Sequence, residues 1–473
     1  MSSSSASSNE KGESSSSSDD SSPSQPQKPA HDPEAENDDD ASRSRIHPAF
    51  ASVCSMEILQ QRLEPFNTYA QKALERTGRS VDWNQISIQS ILGDGGFCTV
   101  FSVTVNNSNT TNTTEPTSFA LKRVSSKHCG DREETFVVAA SDLAYEAYLL
   151  SKLPHHQNWV QLYGVCPHNL TDSFLASSGG IGYYFLMEEL QAQTLEDKLE
   201  QWRQNSTDSS IPSLERRLEH IAIPAADAVR FLHQHQCLLR DLKPLNMGFS
   251  KTDGTLKLFD LGLARPINKC HRREIAGSIR YMAPEVVQHD LGTGYPCDVY
   301  SFALVLYEST TLNRPYQRYF PDDTDMDPSQ EAKLLQQFRK RVVERGERPP
   351  LPKLPSRRQP NRKQLQKLYQ LIQDGWHANA CARPTFARIW LTLHELIQTE
   401  EQQGLDYHKS SRLQQVTLPK EDQQPRRSRF KQFLSSCFSR NQDEDSAADN
   451  IFTEIEELTD YGGGGSTRRS VQE

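Results

Sequence analysis

The sequence contains no apolar run approaching the roughly 20 residues that a membrane-spanning helix requires. Its opening residues, Met1-Ser2-Ser3-Ser4-Ser5, have no apolar core, so no secretion signal is expected. The nine cysteines (Cys54, Cys98, Cys129, Cys166, Cys237, Cys270, Cys297, Cys381 and Cys437) are odd in number and include no Cys-x-x-Cys pair. That pattern argues against a structural zinc site and against a disulfide framework. A reducing compartment, the cytoplasm or also the nucleus, is the expectation. A basic face is missing too. Of the formal net charge of −9, −6 falls in residues 1–45, which hold ten acidic and four basic residues, so no nucleic-acid partner is expected. Hydrophobic residues make up only 35 %, low enough that part of the chain is not expected to fold. In such a chain the Asn-x-Ser/Thr triplets at Asn106, Asn109, Asn112, Asn169 and Asn205 read as loop composition.

The 473 residues suffice for one large domain with tails. Residues 1–45 are Ser, Asp, Glu and Pro with almost no large apolar side chains, and read as disordered. Residues 46–84 regain apolar residues, with Ile58, Leu59, Leu63 and Phe66 at helical spacing. They read either as a regulatory helix docked on the following domain or as a short ordered lead-in. Ile86 to Val105 alternates like paired strands around a Gly-rich turn. Residues 106–118 read as a long polar insertion, followed by a strand over Phe119–Val124. Asp142–Leu153 has helical periodicity, and 158–166 and 183–190 read as strands. Leu214–His235 reads as one long amphipathic helix, yet Pro224 lies inside it, where proline costs on the order of 3 kcal/mol. The nearly all-apolar Val299–Tyr307 suits a buried helix. The expected class is α+β: a small strand-rich lobe over about 85–188, a larger helical lobe over about 191–400, and a polar tail over 401–473. The cleft falls at Met187-Glu188-Glu189-Leu190.

Five motifs follow one another in the chain. They are Gly93-Asp94-Gly95-Gly96-Phe97-Cys98-Thr99-Val100, Phe119-Ala120-Leu121-Lys122, Leu239-Arg240-Asp241-Leu242-Lys243-Pro244-Leu245-Asn246, Asp260-Leu261-Gly262 and Ala283-Pro284-Glu285. Glycines let backbone N–H groups approach phosphate oxygens unobstructed. Carboxylates and an amide at fixed spacing are hard oxygen donors that suit magnesium bridging phosphates. In this order the motifs resemble those of a eukaryotic protein kinase of Ser/Thr type, most like the tyrosine-kinase-like group, over about residues 85–400.

The resemblance implies a two-lobed kinase fold and transfer of the γ-phosphate of ATP to protein Ser/Thr hydroxyls in intracellular signalling. It implies that Gly93, Gly95, Gly96, Val100, Ala120, Lys122 and Glu146 hold ATP. Glu188 C=O and Leu190 N–H would meet the adenine edge, and Met187 would limit access behind it. Glu146 is preferred over Asp142, Glu133 and Glu134 as the partner of Lys122, because it sits mid-helix. Asp241 would accept or orient the attacking hydroxyl, Lys243 would neutralise the moving phosphoryl group, and Asn246 and Asp260 would bind Mg2+. Asp298 would tie down the catalytic-loop backbone, and Glu285 would pair with Arg383. Lys243 and Ser278 point to Ser/Thr substrates.

Departures from the family's usual spelling are Cys98 for the third glycine, Leu239 for His, Leu261 for Phe, and Gly248 for an aliphatic residue beneath the adenine. Glycine at 248 would leave a roomier floor. These departures support the alternative of a kinase-fold scaffold with weak or no catalysis. A small-molecule kinase is a third reading, disfavoured by Ser278 and Ala283-Pro284-Glu285. No Ser, Thr or Tyr lies between Asp260 and Gly277, and Glu274 stands where the family often carries a phosphorylated Thr. Glu274 reads as a fixed charge pairing with Arg240, or as an exposed glutamate. Residues 426–440, basic and aromatic with Cys437, read as a membrane-surface or calmodulin-binding-like segment, or as a solvated tail. Gly462–Gly465 reads as linker.

Overall fold

The computed structural model describes residues 56–95, 97–106, 118–125, 133–175, 181–205, 211–269, 277–288, 294–320 and 328–398. The 1–45 and 401–473 tails, including 426–440 and Gly462–Gly465, lie outside the described residues, as do Gly96, Glu274 and most of the 106–118 insertion.

The smaller lobe is an antiparallel five-stranded sheet in the order β1-β2-β3-β5-β4, built from β1 (Ile86–Asp94), β2 (Cys98–Val105), β3 (Ser118–Val124), β4 (Leu162–Val165) and β5 (Tyr184–Glu188). β2 and β3 are rich in β-branched and apolar residues, and Val103, Phe119, Leu121 and Val124 are buried. The 158–166 and 183–190 strands of the sequence reading shrink to four and five residues.

Against this sheet lies a 20-residue helix that begins earlier than its sequence periodicity indicates. With α1 (Met56–Leu63) and α2 (Asn67–Thr77) preceding it, this is α3, Glu133–Lys152. Phe136, Val137, Ala139 and Ala140 extend its buried face by two turns upstream of Asp142. α1 and α2 pack on α3. Leu59, Leu63 and Ala73 are fully buried, while Ile58 faces outward. Arg62 Nη1 donates to Glu133 Oε1 at 2.5 Å, and Asn67 Oδ1 accepts from Thr171 N and Oγ1 at 2.9 and 3.0 Å.

The larger lobe is helical: α4 (Leu195–Gln204), α5 (Leu214–Arg217), α6 (Ile223–Gln234), α7 (Pro284–Gln288), α8 (Tyr295–Thr311), α9 (Pro328–Phe338), α10 (Arg362–Gly375) and α11 over 386–398. Two short strand pairings carry the loops between the lobes: β6 (Cys237–Leu238) with β9 (Arg265–Pro266), and β7 (Met247–Phe249) with β8 (Leu256–Leu258). α8 is the lobe's central post, with residues from Cys297 to Thr310 all buried. Pro296 sits in its first turn, where a missing N–H is harmless.

The single helix read over Leu214–His235 is instead interrupted. Between α5 and α6 the chain makes a π turn over Leu218–Ala222, in which Ile223 N reaches back to Leu218 O. Pro224 falls in the first turn of α6 directly after it. The widened turn removes the i→i−4 register that proline would otherwise break.

Candidate active site

Two polar clusters line the cleft. The first is held by β3, α3 and the start of the segment after β8. Lys122 Nζ lies 2.7 Å from Glu146 Oε2 and 3.0 Å from Asp260 Oδ1. Glu146 is nearly fully buried, and its other oxygen, Oε1, accepts from Leu261 N at 3.1 Å. Burial alone would lower the Lys122 ammonium, but the Asp260 and Glu146 carboxylates outweigh it and hold the lysine charged. Lys122 in turn holds the Asp260 carboxyl below its ordinary range. Burial pushes Glu146 up to about 6 against the pull of Lys122. Two of the other candidate carboxylates have different partners: Asp142 meets Arg265 at 2.6 Å, and Glu133 meets Arg62.

The second cluster is the loop between β6 and β7. Asp298, fully buried in the first turn of α8, accepts from Leu239 N at 2.9 Å and Arg240 N at 2.8 Å. His233 Nε2 also lies 2.8 Å from Asp298. This anchoring holds Arg240 at φ 70°, a conformation side chains rarely adopt. Asp241 projects from the anchored loop and gathers three partners: Lys243 Nζ at 2.7 Å, Ser278 N at 2.8 Å and Asn246 Nδ2 at 3.1 Å. Lys243 Nζ also donates to Ser278 Oγ at 2.8 Å. Gly277, at φ 106°, lies so close that a Cβ there would stand 2.3 Å from Arg240 O. Arg240 Nε donates to Leu263 O at 2.6 Å, joining the loop to the segment after Asp260.

The described part of the Gly-rich turn is closed by Gly95 N donating to Cys98 O at 3.0 Å. A Cβ at Gly93 would meet nothing within 4 Å, and one at Gly95 only Cys98 O at 3.5 Å. Protein packing therefore does not demand glycine at either position. Cys98 begins β2 without a positive φ, so its backbone does not require the family's glycine. Leu239 and Leu261 are buried at 3 % and 0 % exposure, so both fill apolar space without an unsatisfied group.

Gly248 corrects the sequence reading. Its floor is not roomier, because a Cβ at Gly248 would meet Leu190 Cδ1 at 2.6 Å. The space is already filled from the segment joining the lobes. Val100 is half-buried and Ala120 buried, both on the sheet side. Glu188 Oε1 accepts from Gln161 N at 3.0 Å and pairs with Lys257 at 2.7 Å.

Sequence reasoning missed several residues around these clusters. Arg265 bonds Asp142 and lies over the Tyr145 ring, 4.7 Å from its centroid. Tyr69 stacks on α3, and His233 supports Asp298. Arg265, five residues after Asp260, was findable by its spacing. Tyr69 and His233 carry no local signal, since their partners lie far off in sequence.

Glu285 and Arg383 form a buried bidentate pair at 2.6 and 2.8 Å, and Arg383 Nη1 also caps Pro296 O. No disulfide is found among the described cysteines Cys98, Cys166, Cys237, Cys297 and Cys381. Among the described residues no helix is long and apolar enough to cross a membrane.

A family model described as the protein kinase domain matches residues 86–454, well over half of the chain. The chain belongs to the protein kinase family. It is 28 % identical over 273 residues to serine/threonine-protein kinase STY46 of Arabidopsis thaliana, covering 57 % of this chain and 40 % of that one. It is 30 % identical over 259 residues to the L-type lectin-domain containing receptor kinase IX.2 of the same plant, covering 54 % and 33 %. It is 33 % identical over 145 residues to the putative mitogen-activated protein kinase kinase kinase 7-like of Drosophila melanogaster, covering 30 % and 34 %. The chain thus spans two fifths or less of the length of these relatives.

Proposed function

We propose that this protein is an active Ser/Thr protein kinase, transferring the γ-phosphate of Mg·ATP to protein hydroxyls, with a sequence nearest the tyrosine-kinase-like group. The observation that carries the proposal is the three-way contact of Lys122 with Glu146 and Asp260, closed by Leu261 N on Glu146. One buried carboxylate thereby couples the phosphate-facing lysine, the helix and the segment bearing Asp260. A scaffold would have no need to keep all three charges in register.

Asp241 accepts the proton of, or orients, the substrate hydroxyl as its oxygen bonds to phosphorus and the bond to ADP breaks. Its two carboxylate oxygens are fixed by Ser278 N, Lys243 and Asn246, which sets their direction before substrate arrives. Lys243 supplies positive charge beside the transferring group. Ser278 Oγ, held on Lys243, places the substrate-side wall next to the base.

The donor set fits magnesium. Asn246 Nδ2 is committed to Asp241 O and Oδ2, which leaves Oδ1 as the amide's acceptor, and Asp260 remains ionised beside Lys122. When bound, the metal supplies charge neutralisation to the phosphates. Glu188 and Leu190 offer the backbone edge to adenine: the antiparallel bridge from Leu190 to Ser250 is closed by Gln191 N on Phe249 O. By ladder alternation, the Leu190 N–H faces away from β7, toward the cleft. Residues 56–84 serve as a docked lead-in to a kinase domain beginning near 85.

Full-length protein incubated with Mg·ATP and a generic basic protein should yield phosphoserine and phosphothreonine, and Asp241→Asn should abolish both. ATP binding without transfer in the wild type would turn the reading to a scaffold.

A further inference from the structure

The floor of the proposed adenine site lies on β7, and Gly248 there has no side chain to offer. Leu190 occupies that space. Measured from a Cβ built on Gly248, Leu190 Cδ1 is 2.6 Å away and Leu190 Cβ 3.4 Å, with Phe259 Cε1 at 3.3 Å on another side. A methyl group, let alone a leucine, cannot be added at 248 unless Leu190 moves.

The Leu190 backbone is not free to move far. The segment 188–191 is stapled to the β7–β8 hairpin at several points. Gln191 N donates to Phe249 O at 2.8 Å, and Gln191 Nε2 donates to Ser250 O at 2.9 Å. Lys251 pairs with Glu189 at 2.8 Å, and Lys257 pairs with Glu188 at 2.7 Å. These bonds fix the Leu190 Cα beside β7 and aim its side chain across Gly248.

We infer that Leu190, rather than residue 248, is the apolar floor that grips the base, so that Leu190 and Gly248 form one swapped pair with the side chain moved to the other strand. The inference rests on the nucleotide-site reading above and deepens it. It makes Leu190 the side chain that sets base affinity and shape, opposite Val100 and Ala120. The two positions must then be reciprocal: removing Leu190 opens a floor that nothing fills, and adding a leucine at 248 overfills one already present.

The test is a four-protein cycle in the full chain: wild type, Leu190→Ala, Gly248→Leu, and the double variant. Dissociation constants of a fluorescent ATP analogue are read by direct binding, beside KM for ATP and kcat. Leu190→Ala should weaken binding about tenfold, from loss of one apolar side chain's contact with the base. It should raise KM while leaving kcat within about twofold. Gly248→Leu should weaken binding by a similar factor, and the double variant should return to within about threefold of wild type, a non-additivity expected only of groups sharing one space. Leu190→Met, which conserves volume, should bind like wild type and separates shape from fold. Unchanged binding by Leu190→Ala, additive losses in the double variant, or wild-type affinity in Gly248→Leu would each overturn the inference. A wild-type chain that binds no adenine nucleotide would overturn the site reading itself, and the inference with it.

Discussion

The ring of Tyr69 stands edge-on to that of Tyr145, with centroids 5.2 Å apart and planes at 78°. Tyr145 immediately precedes Glu146, and the Arg265 guanidinium lies over its ring. Tyr69 also lies 5.6 Å from Tyr148. The helix bearing the residue that pairs with Lys122 is thus braced by a segment preceding the sheet and by the chain following Asp260. Tyr69→Ala should remove about 1–3 kcal/mol of packing, since the ring is half-buried and engaged by three aromatic partners, Phe66, Tyr145 and Tyr148. The loss should appear as a fall of roughly tenfold in kcat/KM and as faster amide exchange along α3, while Tyr69→Phe stays near wild type. Equal activity of the alanine and phenylalanine variants would show that α2 merely covers α3.

Gly277 offers a backbone test. At φ 106°, with Arg240 O 2.3 Å from any added Cβ, alanine there is strained by conformation and by collision at once. Gly277→Ala should cost at least about 2 kcal/mol locally. It should displace Ser278 from Asp241 and Lys243, lowering kcat far more than KM for ATP. A thermal midpoint shifted by only a few degrees beside a large loss of kcat would identify the damage as local.

The Lys122–Glu146 link predicts an acid limb. Burial raises Glu146 to about 6, above its ordinary value of 4.5. As pH falls through about 6, Glu146 takes up a proton and its attraction for Lys122 weakens, so activity should drop. Stability should not fall with it on this account. The folded state holds this proton more tightly than the unfolded chain does, so the cost of burying the charged form is relieved between about pH 6 and 4.5. Activity and unfolding free energy should therefore diverge over that window for wild type. Glu146→Gln, with little activity left, should show a flatter stability profile across the same pH range.

The sequence made legible those features that depend on residue identity at short range. Asp241, Lys243 and Asn246 lie within six residues of one another, and Lys122 lies on a strand that the sequence shows as Phe119–Val124. What escaped notice depends on where distant elements meet. Nothing near Gly248 announces that Leu190, 58 positions earlier, fills its space. Likewise, the early start of α3 follows from Phe136 and Val137 finding a tertiary surface, which overrides weak local periodicity. The interruption by Pro224 was visible as a conflict, but its resolution, one extra residue in the preceding turn, belongs to the backbone and leaves no compositional trace.

That resolution can be tested. In an ordinary helix interior, replacing proline by alanine restores a hydrogen bond and relieves a clash, a gain of roughly 3 kcal/mol. Here Ile223 N already bonds to Leu218 O, five residues back, so the turn ahead of Pro224 is wide before proline is considered. With Pro224 in the first turn of α6, an alanine N–H would gain no i→i−4 partner unless the π turn re-tightened, and the buried Leu218, Ile221 and Ala222 would then rotate out of place. Pro224→Ala should accordingly change the unfolding free energy by no more than about 1 kcal/mol, with an unchanged denaturant slope. A gain near 3 kcal/mol would mean that the π turn is imposed by the proline; a change near zero would mean that the packing of Leu218–Ala222 against α8 imposes the turn and the proline only tolerates it.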